Sequence, residues 1–210
     1  MSQRIINSML ALFVACLCIQ PLNASESEML NRIGEQLEQY PVIRAEFIQT
    51  KQMLALKRPL VSTGQLTYSR SHGVLWQIHQ PYRVSYVLGE EDIVEIDANG
   101  VQKVRSVREV PGLAQVGRVF RAMLGANTAA LRTYFDVALE GAPDEWKVAL
   151  VPRQPQLAKA LSTIQLEGSQ FVDAIVIHET GGDVATIRFK HVQGVSALNA
   201  SESQLFGVAP

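Results

Sequence analysis

Val61-Ser62-Thr63-Gly64-Gln65-Leu66-Thr67-Tyr68-Ser69-Arg70, then Ser71-His72-Gly73, then Val74-Leu75-Trp76-Gln77-Ile78-His79-Gln80-Pro81, is the stretch that decides the fold class. Gly64, Leu66, Tyr68 and Arg70 share one face of the first run, and Val74, Trp76 and Ile78 share one face of the second, because side chains alternate sides along a strand. The turn residues between them leave room for a hairpin and none for a crossover helix. Parallel pairing needs connections of about a dozen or more residues, so these runs are antiparallel neighbours.

The rhythm continues outward. Turn residues at Lys57-Arg58-Pro59, Gly89-Glu90 and Ala98-Asn99-Gly100 punctuate period-two runs up to about Arg108, which predicts a meander. Upstream, Phe47 and Gln49 alternate with Glu46 and Ile48 in a first strand that follows Pro41 directly. Before Pro41, Ser25 and Glu28 have capping-box spacing, and Leu30, Ile33, Leu37 and Tyr40 recur at helical intervals. Residues 111–134 break the strand pattern: Leu113, Val116, Phe120, Met123 and Leu124 fall on one helical stripe, with Arg118 and Arg121 turned away. Strands return at 135–140, 145–153, 163–167, 171–179 and 184–191, with Thr180-Gly181-Gly182-Asp183 as a hairpin turn, and the tail after Gly194 is small and polar. A mainly β chain with helices (α+β) results. A sheet of about ten strands curls, and helices are expected to cover its concave side. No internal repeat or low-complexity stretch divides the chain, so residues 25–210 are expected to form a single domain.

The first 24 residues have the zones of a cleavable export signal: one early charge, Arg4, an apolar run from Ile5 to Ile19, and small residues at Asn23-Ala24-Ser25. A periplasmic location is the expectation, with the apolar run short for a membrane span. Phe13-Val14-Ala15-Cys16 also loosely resembles a lipoprotein processing site, and that alternative leaves Cys16 acylated on an anchored protein. Cys16 and Cys18 are the two cysteines of the chain, so cleavage after Ala24 leaves no thiol. Nineteen Lys+Arg less Arg4 leaves 18 against 20 Asp+Glu, a net charge of about −2. Such a balance, with the signs mixed along the chain, carries no electrostatic footprint for nucleic acid or for an anionic bilayer surface, since both need clustered positive charge.

Catalytic signatures are absent from the sequence. His72, His79, His178 and His191 have no metal-ligand spacing, and no nucleophile elbow, phosphate-binding loop or dinucleotide fingerprint occurs. The Glu90-Glu91-Asp92 cluster reads as a solvated strand connection before it reads as a paired-carboxylate site. No metal, cofactor or catalytic residue is therefore assigned.

Phe47-Ile48-Gln49 after an opening helix, Gly64-Gln65-Leu66 leading to Arg70, and Trp76 with Gln80-Pro81 together resemble the outer-membrane lipoprotein carrier family, LolA. The likeness in order and spacing runs from about Ser25 to Pro81, with a weaker match in strand rhythm beyond. It implies an unclosed antiparallel β-barrel, lidded by helices, that shields lipoprotein acyl chains across the periplasm. It also implies a monomer working between an inner-membrane release complex and an outer-membrane acceptor. In that family an arginine after the second strand hydrogen-bonds lid backbone and latches the empty cavity shut, and Arg70 matches its position; the alternative is an ordinary surface arginine. Phe47, Leu66, Tyr68, Trp76, Ile78 and Tyr86 are the candidate cargo contacts of the sheet, with Leu113, Val116, Phe120, Met123 and Leu124 those of the lid. Each aromatic and the lid stripe equally suit plain core packing. The chain departs from the family pattern at Ser71, where a proline is usual, and at Gly89-Glu90-Glu91-Asp92, where an Asp-Gly turn is usual. Those departures leave open a different lipid, or a membrane-bound pigment or glycolipid intermediate, as cargo. An anchored receptor or sensor and a lipid-acting enzyme are the other function classes weighed.

Overall fold

The computed structural model describes residues 22–89, 92–106, 122 and 128–208. Apart from Leu22-Asn23-Ala24, the expected export segment lies outside them. Helix α1 (Leu22–Leu37) begins ahead of Ser25, so Ser25 sits within the helix and does not cap it. The Glu28 carboxylate accepts instead from Arg32 one turn on, at 2.7 Å. The helix ends short of Pro41, whose ring disfavours helical backbone in the residue before it, and the chain turns into a strand.

Among the described residues eleven strands follow. They are β1 (Val42–Gln52), β2 (Leu60–Ser69), β3 (Gly73–Gln80), β4 (Val84–Leu88), β5 (Asp92–Asp97), β6 (Gln102–Ser106), β7 (Phe135–Ala142), β8 (Glu145–Pro152), β9 (Leu161–Gly168), β10 (Val172–Glu179) and β11 (Val184–Val195). Helix α2 (Thr128–Tyr134) leads into β7, a single turn α3 (Pro155–Ala158) joins β8 to β9, and α4 (Ala200–Leu205) follows β11. Every pairing is antiparallel, and the sheet order is β6-β5-β4-β3-β2-β1-β11-β10-β9-β8-β7. Two meanders are thus zipped together by β1 and β11, in a register from Val42 opposite Val195 to Gln52 opposite Val184. Among the described residues β6 and β7 have no outer neighbour, and the sheet is not closed.

Directly opposed residues share a face, so the ladders place Phe47 beside Phe189, Leu66 beside Trp76 and Tyr68 beside Val74 on one side. That inner face forms one continuous apolar core with Leu30, Ile33 and Leu37 of α1 and Leu131 of α2. Ala122, in the middle of the helical block expected over 111–134, is buried in the same core. The stripe Leu113, Val116, Phe120, Met123 and Leu124 lies outside the described residues.

The outer face carries a second, smaller core. Leu75, Val87 and Ile96 pack under Leu205 and Phe206, so the tail expected to be merely small and polar contains a helix docked on the sheet. Asn199 caps α4: its side chain accepts from the Glu202 N–H at 2.9 Å while the Glu202 carboxylate accepts from the Asn199 N–H at 2.8 Å. Glu202 is buried, and both its oxygens meet the Arg44 guanidinium at 2.6 Å; Thr67 Oγ1 donates to it at 3.0 Å. Burial alone pushes the Glu202 pKa up, but the Arg44 bond, then the Asn199 amide and the Thr67 hydroxyl, hold it below the usual 4.5. The same bond raises the Arg44 pKa.

A folded-state carboxyl pKa below its unfolded value stabilises the protein above the unfolded pKa, and that contribution fades as pH falls through the folded one. Glu202→Gln should therefore lower stability at neutral pH by about 2 kcal/mol, a discounted figure because Arg44 keeps a water-facing edge. It should also flatten the fall in melting temperature below about pH 4.5. Thermal melts of both proteins between about pH 3 and 7 check this; parallel curves would count against the ion pair.

Candidate functional site

The inner face of β1 to β4 is built around one missing side chain. A Cβ on Gly64 would lie 1.8 Å from the Gln77 carbonyl oxygen and 2.8 Å from Phe47 Cζ, where the β2–β3 register shifts. Glycine at 64 therefore lets Phe47 lie across β2 and stack on Trp76, with ring centroids 3.9 Å apart and planes 23° from parallel. Phe47 is fully buried, while Trp76, Ile78 and Tyr86 are half-buried. Tyr86 stands opposite Trp76, and its hydroxyl pKa is raised by burial first, then by Glu95 and Tyr82. Leu66 and Tyr68 continue the surface toward α1, beside Ala45 and Ile43.

Six of the expected contacts thus come together on one wall: Phe47, Leu66, Tyr68, Trp76, Ile78 and Tyr86 all join the inner core or pack against it. Under the end of α1, between Leu37, Ile43, Leu66, Phe171, Phe189 and Val192, the remaining void is about 10 Å³. A void of that size barely admits one water. At this spot the core is filled, and an alkyl chain enters here only if the end of α1 moves.

Arg70 lies elsewhere than on this wall. It sits just beyond β2, exposed, in the turn to β3, rather than pointing into the apolar trough beside Leu66 and Tyr68. Its N–H donates to the Pro41 carbonyl at 3.0 Å, and its guanidinium Nη2 donates to the Glu38 carbonyl at the C-terminal end of α1. The carbonyls of a last helical turn have no partners within the helix and attract cations, so a guanidinium is well suited to the position. A second tether, Gln36 Nε2 to the Ser169 carbonyl at 3.3 Å, holds the same end of α1 to the β9–β10 turn. Sequence reasoning missed both the second tether and the opposite wall, where Phe189, Ile175 and Leu166 face the same core. Alternation in residues 163–191 signals that wall, but only the β1–β11 pairing sets it facing α1.

A family model described as outer membrane lipoprotein carrier protein LolA-like matches residues 23–187. The chain belongs to this LolA-like family. Solved structures similar to this LolA-like chain include a putative outer membrane lipoprotein-sorting protein domain from Vibrio parahaemolyticus, at 10% identity and TM-score 0.50 over 87% of this chain and 98% of that one. A LolA superfamily protein from Nitrosomonas europaea is 9% identical, TM-score 0.48, over 84% and 96% of the two chains. The Mycobacterium tuberculosis lipoprotein LppX is 9% identical, TM-score 0.43, over 82% and 99%. At such identities the likeness is one of fold. No curated protein sequence matches. LolA-like family members are carrier and binding proteins. Among the described residues of this LolA-like chain, no cluster of His, Cys, Asp and Glu is arranged to hold a metal, and no helix is long and apolar enough to cross a membrane.

Proposed function

We propose that this chain is a non-enzymatic periplasmic carrier that takes the acyl chains of a lipoprotein, or of a related lipid, between its inner sheet face and its helical cover. In this reading it collects cargo from an inner-membrane release complex and delivers it to an outer-membrane acceptor. The observation that carries the proposal is an apolar, aromatic-rich inner face that shares one core with helix α1, whose C-terminal end is tethered through backbone carbonyls, one to Arg70 and one from Ser169 to Gln36. Lifting α1 uncovers Leu30, Ile33 and Leu37, at a cost on the order of 5–9 kcal/mol for three such side chains. About ten methylenes of an acyl chain, at roughly 0.8 kcal/mol each, offset that cost. Cover and cargo then compete for the same wall, which makes release a matter of the cover returning.

Two measurements test the reading. The purified protein should take up a fluorescent fatty-acid probe with micromolar affinity, and native mass spectrometry of protein from its own periplasm should show a co-purified lipid and identify it. Absence of both would refute the carrier. Arg70→Leu removes the guanidinium from the Glu38 carbonyl, so the variant should retain probe longer, with release slowed about ten-fold, since the loss of one charged hydrogen bond is worth about 1.5 kcal/mol. Unchanged loading and release would leave Arg70 as a surface residue. A mature N-terminus at Ser25 supports the freely diffusing form, whereas an acylated Cys16 would make the protein an anchored acceptor.

A further inference from the structure

The turns β1–β2, β3–β4 and β5–β6 lie at one end of the sheet, opposite the end where Arg70 holds α1. Of the nine large hydrophobic residues exposed among the described residues, six are on this rim: Leu54 (78% exposed), Leu56, Leu60, Val61, Tyr82 and Val101. Scattered exposed apolar residues are ordinary, but six on or directly beside the turns of one edge, Leu60 and Val61 being the first residues of β2, make a concentration of them. Exposed cations stand among them, Lys57 and Arg58 in the first turn and Arg83 in the second. Neighbouring acids are turned to internal partners. Glu179 takes Lys51 Nζ at 2.6 Å, Asp183 accepts the Leu54 N–H at 3.0 Å, and Asp97 accepts the Asn99 and Val101 N–H groups at 2.8 and 2.9 Å.

We propose that this rim docks on an anionic phospholipid bilayer, with the leucines of the β1–β2 turn entering the interface and Lys57, Arg58 and Arg83 meeting headgroup phosphates. Interfacial binding of this kind adds buried apolar area to electrostatic attraction, and long cationic side chains reach from an apolar body to the headgroup level. The Asp183 bond holds the turn in shape, so little ordering is needed on contact. Docking by this rim leaves the α1 tethers at the far end, about 30 Å away along a ten-residue strand, free of the membrane. The inference goes beyond the carrier reading and does not depend on the cargo.

Flotation of the protein purified from periplasmic extract, with phosphatidylethanolamine vesicles containing or lacking phosphatidylglycerol, tests it. Binding should require phosphatidylglycerol and weaken in about 0.5 M salt. Lys57→Glu/Arg58→Glu should reduce it at least 20-fold, at about five-fold per charge removed. Leu54→Ser/Leu56→Ser should reduce it about ten-fold, and Lys190→Glu, well away from the rim on β11, should not. Fatty-probe uptake should be unchanged in the rim variants, which separates this proposal from the carrier reading. No flotation of the parent protein, flotation only with vesicles carrying native membrane proteins, or rim variants that float as well as the parent would each overturn it.

Discussion

Gly64→Ala is expected to be the most damaging single methyl group that can be added to this protein. Its Cβ would sit 1.8 Å from a backbone oxygen of Gln77, and the neighbouring strand offers no flexible side-chain end to swing aside. Either β2 and β3 separate at this point, losing ladder bonds in the centre of the wall, or Phe47 leaves its stack, because Phe47 Cζ is only 2.8 Å from the same position. A loss of about 4 kcal/mol or more belongs to this class of core overpacking with backbone displacement. In a chain of this length each kcal/mol moves the melting temperature by about 2–4 °C. The variant should therefore melt about 10 °C or more below the parent, or fail to accumulate. A melting temperature within about 2 °C of the parent would show that β2 and β3 leave room for a methyl group at this position.

Phe47→Ala removes the ring instead of crowding it. The residue is 1% exposed at the centre of the inner core, and truncations of this kind cost about 3–5 kcal/mol, part from lost transfer energy and part from the cavity left behind. The indole of Trp76 also loses its stacked partner, and water gains access to a face that Phe47 had covered. With Trp146 replaced by Phe so that Trp76 is the sole reporter, the emission maximum should move to longer wavelength in Phe47→Ala as the melting temperature falls. An unmoved spectrum with an unmoved melting temperature would place the ring outside the packed wall. The size of the void also bears on cargo: the parent closes to about 10 Å³ beneath α1, so enlarging the neighbouring space should ease entry of a short fatty probe.

The Gly64-Gln65-Leu66 triplet shows how much of the site was legible. Alternation alone put Leu66, Tyr68, Trp76 and Ile78 on shared faces, and the ladders confirm it, because period two is a property of the single strand. The same reasoning extended that face to Arg70, but β2 ends at Ser69 and the next residue has already turned. Alternation holds only while the backbone stays extended. Asn199 and Glu202 carried a readable capping signal that was missed because the surrounding tail looked polar. The helix they start is apolar only at Leu205 and Phe206 next to it, too few residues to show a helical period.

Sequence by itself determined the fold class, the antiparallel neighbours within each half and the apolar faces of most strands, since short turns and local periodicity leave few alternatives. It did not determine that β1 pairs with β11, that Leu75 and Val87 are covered from the outside, or that Arg44 and Glu202 meet across the chain. Those contacts join residues more than a hundred positions apart, and no local pattern encodes a partner at that distance. They form because two half-sheets with unpaired inner edges and one apolar face each bury most when joined edge to edge beneath a common cover.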